Sequence, residues 1–185
     1  MPHAQLLAAA DALFADSGSP GTVTMDAIAV AAGVGKGTLF RAFGSRDGLL
    51  DALWVVKLAA LHDAVDHGAP PLGPGGAPRD RAVAFLDALL SFKMDNRHLI
   101  RARELAPRLL QSAHYLWMHG LLRSLIAEAA PGVAAADAIY TAHALLAAVH
   151  IDLIEELLAA GLSVQAIRDA QAARVRSVID GAGRG

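Results

Sequence analysis

The chain has 185 residues, enough for one domain or two small ones with a proper core, and 55% of them are hydrophobic. Its formal net charge is −2, so a nucleic-acid partner has to be met by a local patch rather than by a basic protein. The absence of cysteine excludes disulfides, thiolate metal sites and a cysteine nucleophile. Abundant alanine and leucine with few β-branched runs favour helix over sheet. The start, Met1-Pro2-His3-Ala4, has no basic n-region, and no apolar run reaches membrane-spanning length. A soluble cytoplasmic protein without a membrane partner is the expectation.

The first strong signal lies in residues 22–50. Met25, Ile28 and Ala31/Ala32 are spaced for a short helix from about Thr24 to Ala32 with one apolar side. Thr24 is its N-cap, and Asp26 places negative charge in the first turn, where the helix dipole favours it. Gly33-Val34-Gly35 breaks this helix, with Val34 as an apolar plug between two short helices. A second helix follows from about Lys36 to Phe43, with Leu39 and Phe43 inward and Lys36, Thr38 and Arg41 facing out. Helix, tight turn and short polar-faced helix is the pattern of a helix-turn-helix whose second helix enters the DNA major groove. Residues 1–53 carry Lys36, Arg41 and Arg46 against Asp11, Asp16, Asp26, Asp47 and Asp51, so the region is not basic. All its cations nevertheless fall between positions 36 and 46, which makes a small positive face, and a dimer would double it.

The runs Thr24-Met25-Asp26-Ala27-Ile28-Ala29, Ala31-Ala32-Gly33-Val34-Gly35-Lys36-Gly37-Thr38-Leu39-Phe40 and Phe43-Gly44-Ser45-Arg46-Asp47-Gly48-Leu49-Leu50 resemble the signature of the tetracycline-repressor (TetR) family. Upstream, the stretch from Ala9 to Gly18 resembles that family's first helix. The resemblance covers the first quarter to third of the chain and implies an all-α protein. An N-terminal three-helix helix-turn-helix domain (1–53) would precede a larger effector-binding and dimerisation domain (54–185), with about nine helices in all. It implies double-stranded operator DNA and a second copy of the chain as partners, and a small-molecule effector. Lys36 would meet base edges or phosphates, Thr38 and Arg41 phosphates or bases, and Thr24 and Arg46 backbone phosphates, although caps and surface positions explain the last two equally well. Gly35 and Gly37 either admit the DNA backbone or simply serve the turn. The chain departs from the family pattern at Phe40, where tyrosine is usual and reaches a phosphate, and at Ala42, where histidine is frequent. Only His3 precedes Leu6, so the usual basic arm is missing. Fewer bound phosphates mean weaker binding and a shallower salt slope, by about 0.9 for each phosphate left unneutralised.

Farther along, Ser45 can cap a helix from about Arg46 to His67 with Leu49, Leu53, Val56 and Ala60 on one side; in the family this helix links the two domains. Residues 68–78, rich in glycine and proline, read as a flexible loop. A helix over about Arg79–Met94 follows, with Ala82, Phe85, Leu86 and Leu89 inward. The next, about Asn96 to Leu105, is stopped by Pro107, and another over about Arg108–Ala129 carries Leu110, His114, Trp117, Leu121 and Leu125 along one stripe. From about Ala135 to Ala160 a single helix is expected, apolar on two sides, and therefore in need of two packing partners. Gly161 breaks it and Ser163 caps the last helix, edged by Val164, Ile167, Val175 and Val178. A hairpin of two such helices, about 135–180, paired with its twofold copy would make a homodimer interface; a monomer core is the blander reading.

Phe85, Leu89, Phe92, His98, Arg101, His114, Trp117, Met118 and His143 are the candidate effector-pocket residues, suited to an apolar or aromatic molecule. For any single aromatic or methionine among them, plain core packing is the better explanation. Glu104 is a further polar candidate beside Arg101 and Arg103. His143 and His150 are seven apart on one face and His114 and His119 five apart on different faces, whereas helical metal pairs favour i, i+4 spacing with a carboxylate nearby. No metal or cofactor is expected. With no cysteine, phosphate loop or paired-histidine motif, no enzymatic activity is expected either. The function expected is that of a one-component regulator, a repressor released from a near-palindromic operator by its ligand. The alternative is a family member with lost or weak DNA binding that acts as a ligand-binding helical protein.

Overall fold

The computed structural model describes residues 3–103 and 109–182, leaving aside the side chains of Arg103 and Leu109. Among them are ten α-helices and no strand: α1 (His3–Asp16), α2 (Met25–Ala31), α3 (Lys36–Phe43), α4 (Arg46–His67), α5 (Pro78–Asp95), α6 (Arg97–Arg103), α7 (Ala113–Ala129), α8 (Ala135–Ala147), α9 (Ile151–Ala159) and α10 (Val164–Ala182). Short 3-10 turns lie at Pro20–Thr22 and Leu109–Gln111. The chain divides into two compact units, Met1–Ala60 with Asn96–Leu109, and Leu61–Asp95 with Leu110–Gly185. The first unit thus reaches beyond residue 53 and takes in α6, which the chain order alone would assign to the second.

In the first unit the apolar sides of the short helices converge on Leu6, Ala10, Phe14, Ile28, Leu39, Leu49, Leu50 and Leu53, closed by Leu99 and Ala102 of α6. Full burial of each large side chain contributes about 1.5–3 kcal/mol, which lets helices of seven or eight residues persist although they would melt in isolation. The α2–α3 turn is built by a Schellman arrangement. Gly33, at φ 65, closes the helix; its N–H reaches Val30 O at 3.0 Å and the Val34 N–H reaches Ala29 O at 3.0 Å. Only a residue at ease with positive φ serves at Gly33. Val34 packs against the core, as its apolar character requires.

Ser45 caps α4, accepting the Gly48 N–H at Oγ (3.1 Å). The buried residues of α4 are Leu49, Leu50, Leu53, Trp54, Leu58, Leu61 and Val65, and Val56 is 58% exposed. The expected stripe through Val56 and Ala60 therefore gives way to one running through Trp54 and Leu58. Both stripes have helical spacing, and apolar residues surround the helix, so local pattern does not choose between them.

In the second unit α7 packs on α8, and α5 packs on both α7 and α10. Phe85, Leu86, Leu89, Leu122, Leu125, Ile126, Ala142, Val149, Ile154 and Val175 form its interior. Residues 68–77 are turns rather than a free loop: Arg81 of α5 donates from Nε to Leu72 O (3.2 Å) in its middle and from Nη2 to Val65 O (3.1 Å) just before it. The helix expected over 135–160 is two helices. Ala148 ends α8, His150 adopts an extended conformation (φ −64, ψ 137) as the N-cap of α9, and Lys93 of α5 donates to the freed Val149 O at 2.9 Å. The break raises the expected nine helices to ten, and it leaves Ile139 and Leu153 of one expected stripe partly exposed. Glu104, the end of the helix expected to stop before Pro107, and the start expected at Arg108 lie outside the described residues. Among those residues no helix is long and apolar enough to cross a membrane.

Candidate nucleic-acid interface

The second helix of the motif, α3, turns Leu39 into the core with Ala42 and Phe43 packed against it, and presents its other side outward. Lys36, Gly37, Phe40 and Arg41 are exposed and Thr38 is half-buried. Thr24, the N-cap of α2, accepts the Ala27 N–H at Oγ1 (3.2 Å), so its hydroxyl oxygen has a local duty. Lys36 Nζ lies 2.8 Å from Asp26 Oδ1 and 5.8 Å from the centre of the Phe40 ring. Phe40 is 38% exposed and has no hydroxyl to offer a phosphate. Arg41 reaches Thr38 Oγ1 at 3.4 Å, a weak contact that leaves the guanidinium at the surface.

Neither glycine at the start of α3 is required by the fold. Gly35 sits at φ −70 and ψ 143, open to any residue, and Gly37 lies inside the helix. A Cβ at either position would meet nothing within 4 Å. The turn needs its glycine at Gly33, not at these two positions. Their absent side chains leave a smooth surface beside Lys36, where a backbone or a phosphate can approach closely.

Arg46 departs from the expected phosphate role. Its guanidinium is half-buried and donates to Val23 O (2.9 Å), Pro20 O (3.0 Å) and Ala102 O (3.3 Å), with the Phe14 ring beneath it at 5.5 Å. The planar fork satisfies carbonyls of the 20–23 segment and of α6 at once. A second polar knot joins α1, α4 and α6: Asp11 lies 2.6 Å from Lys57 Nζ and 2.9 Å from His98 Nε2. Burial alone would raise the Asp11 carboxyl, but hydrogen bonds from His98 and Lys57, with their charge, hold it below the usual carboxylate value.

The effector candidates do not form one group. His98 and Arg101 belong to the first unit with α6, and His98 is engaged by Asp11. The others lie in the second unit, on different sides of α7. Trp117 stacks on His62 (3.6 Å between ring centres) and meets the buried Phe85 edge-on at 5.6 Å, with Leu89 one turn along α5. On the side facing α8, His143 Nδ1 lies 2.7 Å from the Tyr115 hydroxyl, and its ring centre is 4.0 Å from that of His119. Burial and the neighbouring His119 push His143 below its ordinary value, so its neutral form is favoured. Burial raises the Tyr115 phenol. Phe92, His114 and Met118 are half-buried. Sequence reasoning missed His62, to which nothing local pointed. Tyr115 is among the large residues that the sequence offers for a pocket, and His119 enters there only as a metal partner of His114, although Tyr115 and His119 form an i, i+4 pair. Among the described residues no cluster of three or more histidines and carboxylates could hold a metal ion.

A helix-turn-helix head with an exposed, glycine-started second helix, followed by a separate helical unit, defines a DNA-binding regulator with a second domain. The family model "Bacterial regulatory proteins, tetR family" matches residues 6–53. A TetR-like transcriptional regulator from Rhodococcus sp. RHA1 has a similar structure, with 25% identity and a TM-score of 0.63, over 96% of this chain and 95% of that one. A TetR transcriptional regulator from Streptomyces coelicolor aligns at 23% identity and a TM-score of 0.45, over 97% of each chain. Among proteins of curated function none matches the sequence. Residues 6–53 are thus similar to the tetR regulatory family, and the chain as a whole is similar in structure to a TetR-like transcriptional regulator.

Proposed function

We propose that the protein is a one-component repressor that binds a near-palindromic operator as a homodimer and is released by a small apolar or aromatic ligand. The observation that carries this reading is the surface of α3, where Lys36, Thr38 and Arg41 flank two glycines that the fold itself does not need. Side chains at the start of such a helix reach base edges, and the bare backbone at Gly35 and Gly37 lets a phosphate approach the amides. Each protomer of the pair would place α3 in successive major grooves, about one helical turn apart. The partly exposed Ile139, Leu153 and Leu162 on and beside α8 and α9 support a self-association surface over about 135–180. A ligand can act only by binding the form that does not fit DNA more tightly, with a coupling of about 1–3 kcal/mol. No catalysis and no cofactor belong to this reading.

A second reading, a family member that no longer reads DNA, is favoured by the Lys36–Asp26 ion pair and the inward engagement of Arg46. Fluorescence anisotropy with the protein's own upstream DNA and a scrambled duplex, at two salt concentrations, separates the two. Tight, discriminating binding that weakens about five- to twentyfold in Lys36→Ala supports the repressor. Equal, weak binding to both duplexes that vanishes with modest salt rejects it.

A further inference from the structure

Lys36, the first residue of the recognition helix, is held by an acid of the preceding helix. Its Nζ lies 2.8 Å from Asp26 Oδ1 and 2.9 Å from Oδ2, and the two side chains are 62% and 61% exposed. The Phe40 ring draws the same ammonium back along α3, at 5.8 Å from its centre. Asp26 occupies the first turn of α2, where the helix dipole favours a negative side chain. With Arg46 turned inward, the charged side chains of α2 and α3 are Lys36 and Arg41 against Asp26.

We propose that Asp26 sets the selectivity of the DNA-binding surface, by keeping the Lys36 ammonium on the protein until a well-placed phosphate displaces it. This rests on the reading of α3 as the DNA-contacting helix. While the pair is closed, a phosphate oxygen that accepts a hydrogen bond from Lys36 lies within about 6 Å of the Asp26 carboxylate, because each is about 3 Å from the same nitrogen. Like charges at that separation repel, so a loosely docked duplex gains little from Lys36. A duplex in the right register offers other contacts to offset the exchange. The pair is exposed and screened, which makes it weak enough to open. An acid in this place is a device against wrong partners, and it lowers binding to random DNA more than binding to the operator.

The test uses the full chain and four proteins: wild type, Asp26→Asn, Lys36→Ala and the double variant. Each is titrated by fluorescence anisotropy on the upstream duplex and on a scrambled one across a salt series. Asp26→Asn should tighten the scrambled complex about two- to fivefold and narrow the ratio between the duplexes. It should also steepen the salt dependence by about 0.9, the signature of one added phosphate contact. Adding Lys36→Ala should erase both changes, because the gain runs through that ammonium. Unchanged affinity and slope in Asp26→Asn, with wild type still discriminating, would overturn the role of Asp26 alone. A gain that survives in the double variant would also overturn it, since it would be a general charge effect. Failure of both wild type and Asp26→Asn to bind either duplex at low salt would overturn the DNA-binding reading, and this proposal with it.

Discussion

Both units tie half-buried cations to backbone carbonyls, but they differ in what else fills the space between their helices. In the first unit full charges tie helices together: Arg46 binds three carbonyls, and Asp11 gathers Lys57 and His98. In the second unit Arg81 and Lys93 also donate to backbone carbonyls. Half-buried rings add a second kind of contact there, with Trp117 against His62 and Phe85, and His143 against Tyr115 and His119. Ion pairs of that unit such as Arg79–Asp180 and Arg168–Asp87 lie between partly exposed side chains. A unit of short helices has little apolar surface per helix, and charge-assisted hydrogen bonds to backbone add what the small core lacks. A bundle of longer helices has enough core and can carry neutral rings between them. The first unit should therefore respond to changes of hydrogen-bond geometry, and the second to volume and mild acid.

The largest effect is expected in the second unit. Phe85→Ala removes a wholly buried ring and the edge contact to Trp117, and should cost about 3–5 kcal/mol in urea unfolding. A destabilisation below about 1 kcal/mol, the range of a surface change, would mean that the site collapses freely and is not a ring-packed core. The sharpest test of the contrast is Arg46→Lys, which keeps the charge and removes the fork. It should cost about 1–3 kcal/mol, because carbonyls are left without donors, and leave the salt dependence of DNA binding alone. An unchanged melting point with weaker binding to DNA would instead put the guanidinium on a phosphate.

The smallest effect concerns pH. His143 lies below its ordinary value of 6.5 in the folded protein, because burial and His119 disfavour its charged form. The unfolded chain thus takes up the proton first as pH falls. The stability held by the neutral ring is complete above pH 6.5 and is lost as pH drops through the lower folded value. His143→Asn should flatten the decline of the melting midpoint below pH 6.5, by about 2 °C per pH unit or less. An identical decline in both proteins would place the titrating group elsewhere.

Much of the first unit was legible because its signals are short-ranged. Thr24 reaches three residues ahead, Ser45 likewise, and the Schellman turn spans Ala29 to Val34. The outward side of α3 follows from Leu39 being its buried residue. Less of the effector set was legible. Apolar or aromatic character marked Phe85, Trp117 and His143 equally, yet they stand on different sides of α7, and His98 belongs to the other unit. The α4 stripe failed for a related reason: with Val55 and Val56 outward and Trp54 and Leu58 inward, hydrophobicity along the helix does not mark the buried side.

By itself the sequence determined an all-α chain, a helix-turn-helix between Thr24 and Phe43 and the residues α3 turns outward, because caps, turn glycines and helical spacing act within a few residues. Tertiary structure decided the rest through contacts far apart in the chain. Arg46 turns inward because carbonyls 23 and 26 residues before it and 56 after it converge on one guanidinium. The long helix expected after Ala135 breaks at His150 where Lys93, 56 residues from Val149, meets the carbonyl that the break exposes. Asp26 and Lys36 meet across the turn at a separation of ten residues, set by how α2 and α3 pack. A buried donor or acceptor needs a partner wherever the fold can supply one, and only the packed chain brings such partners together.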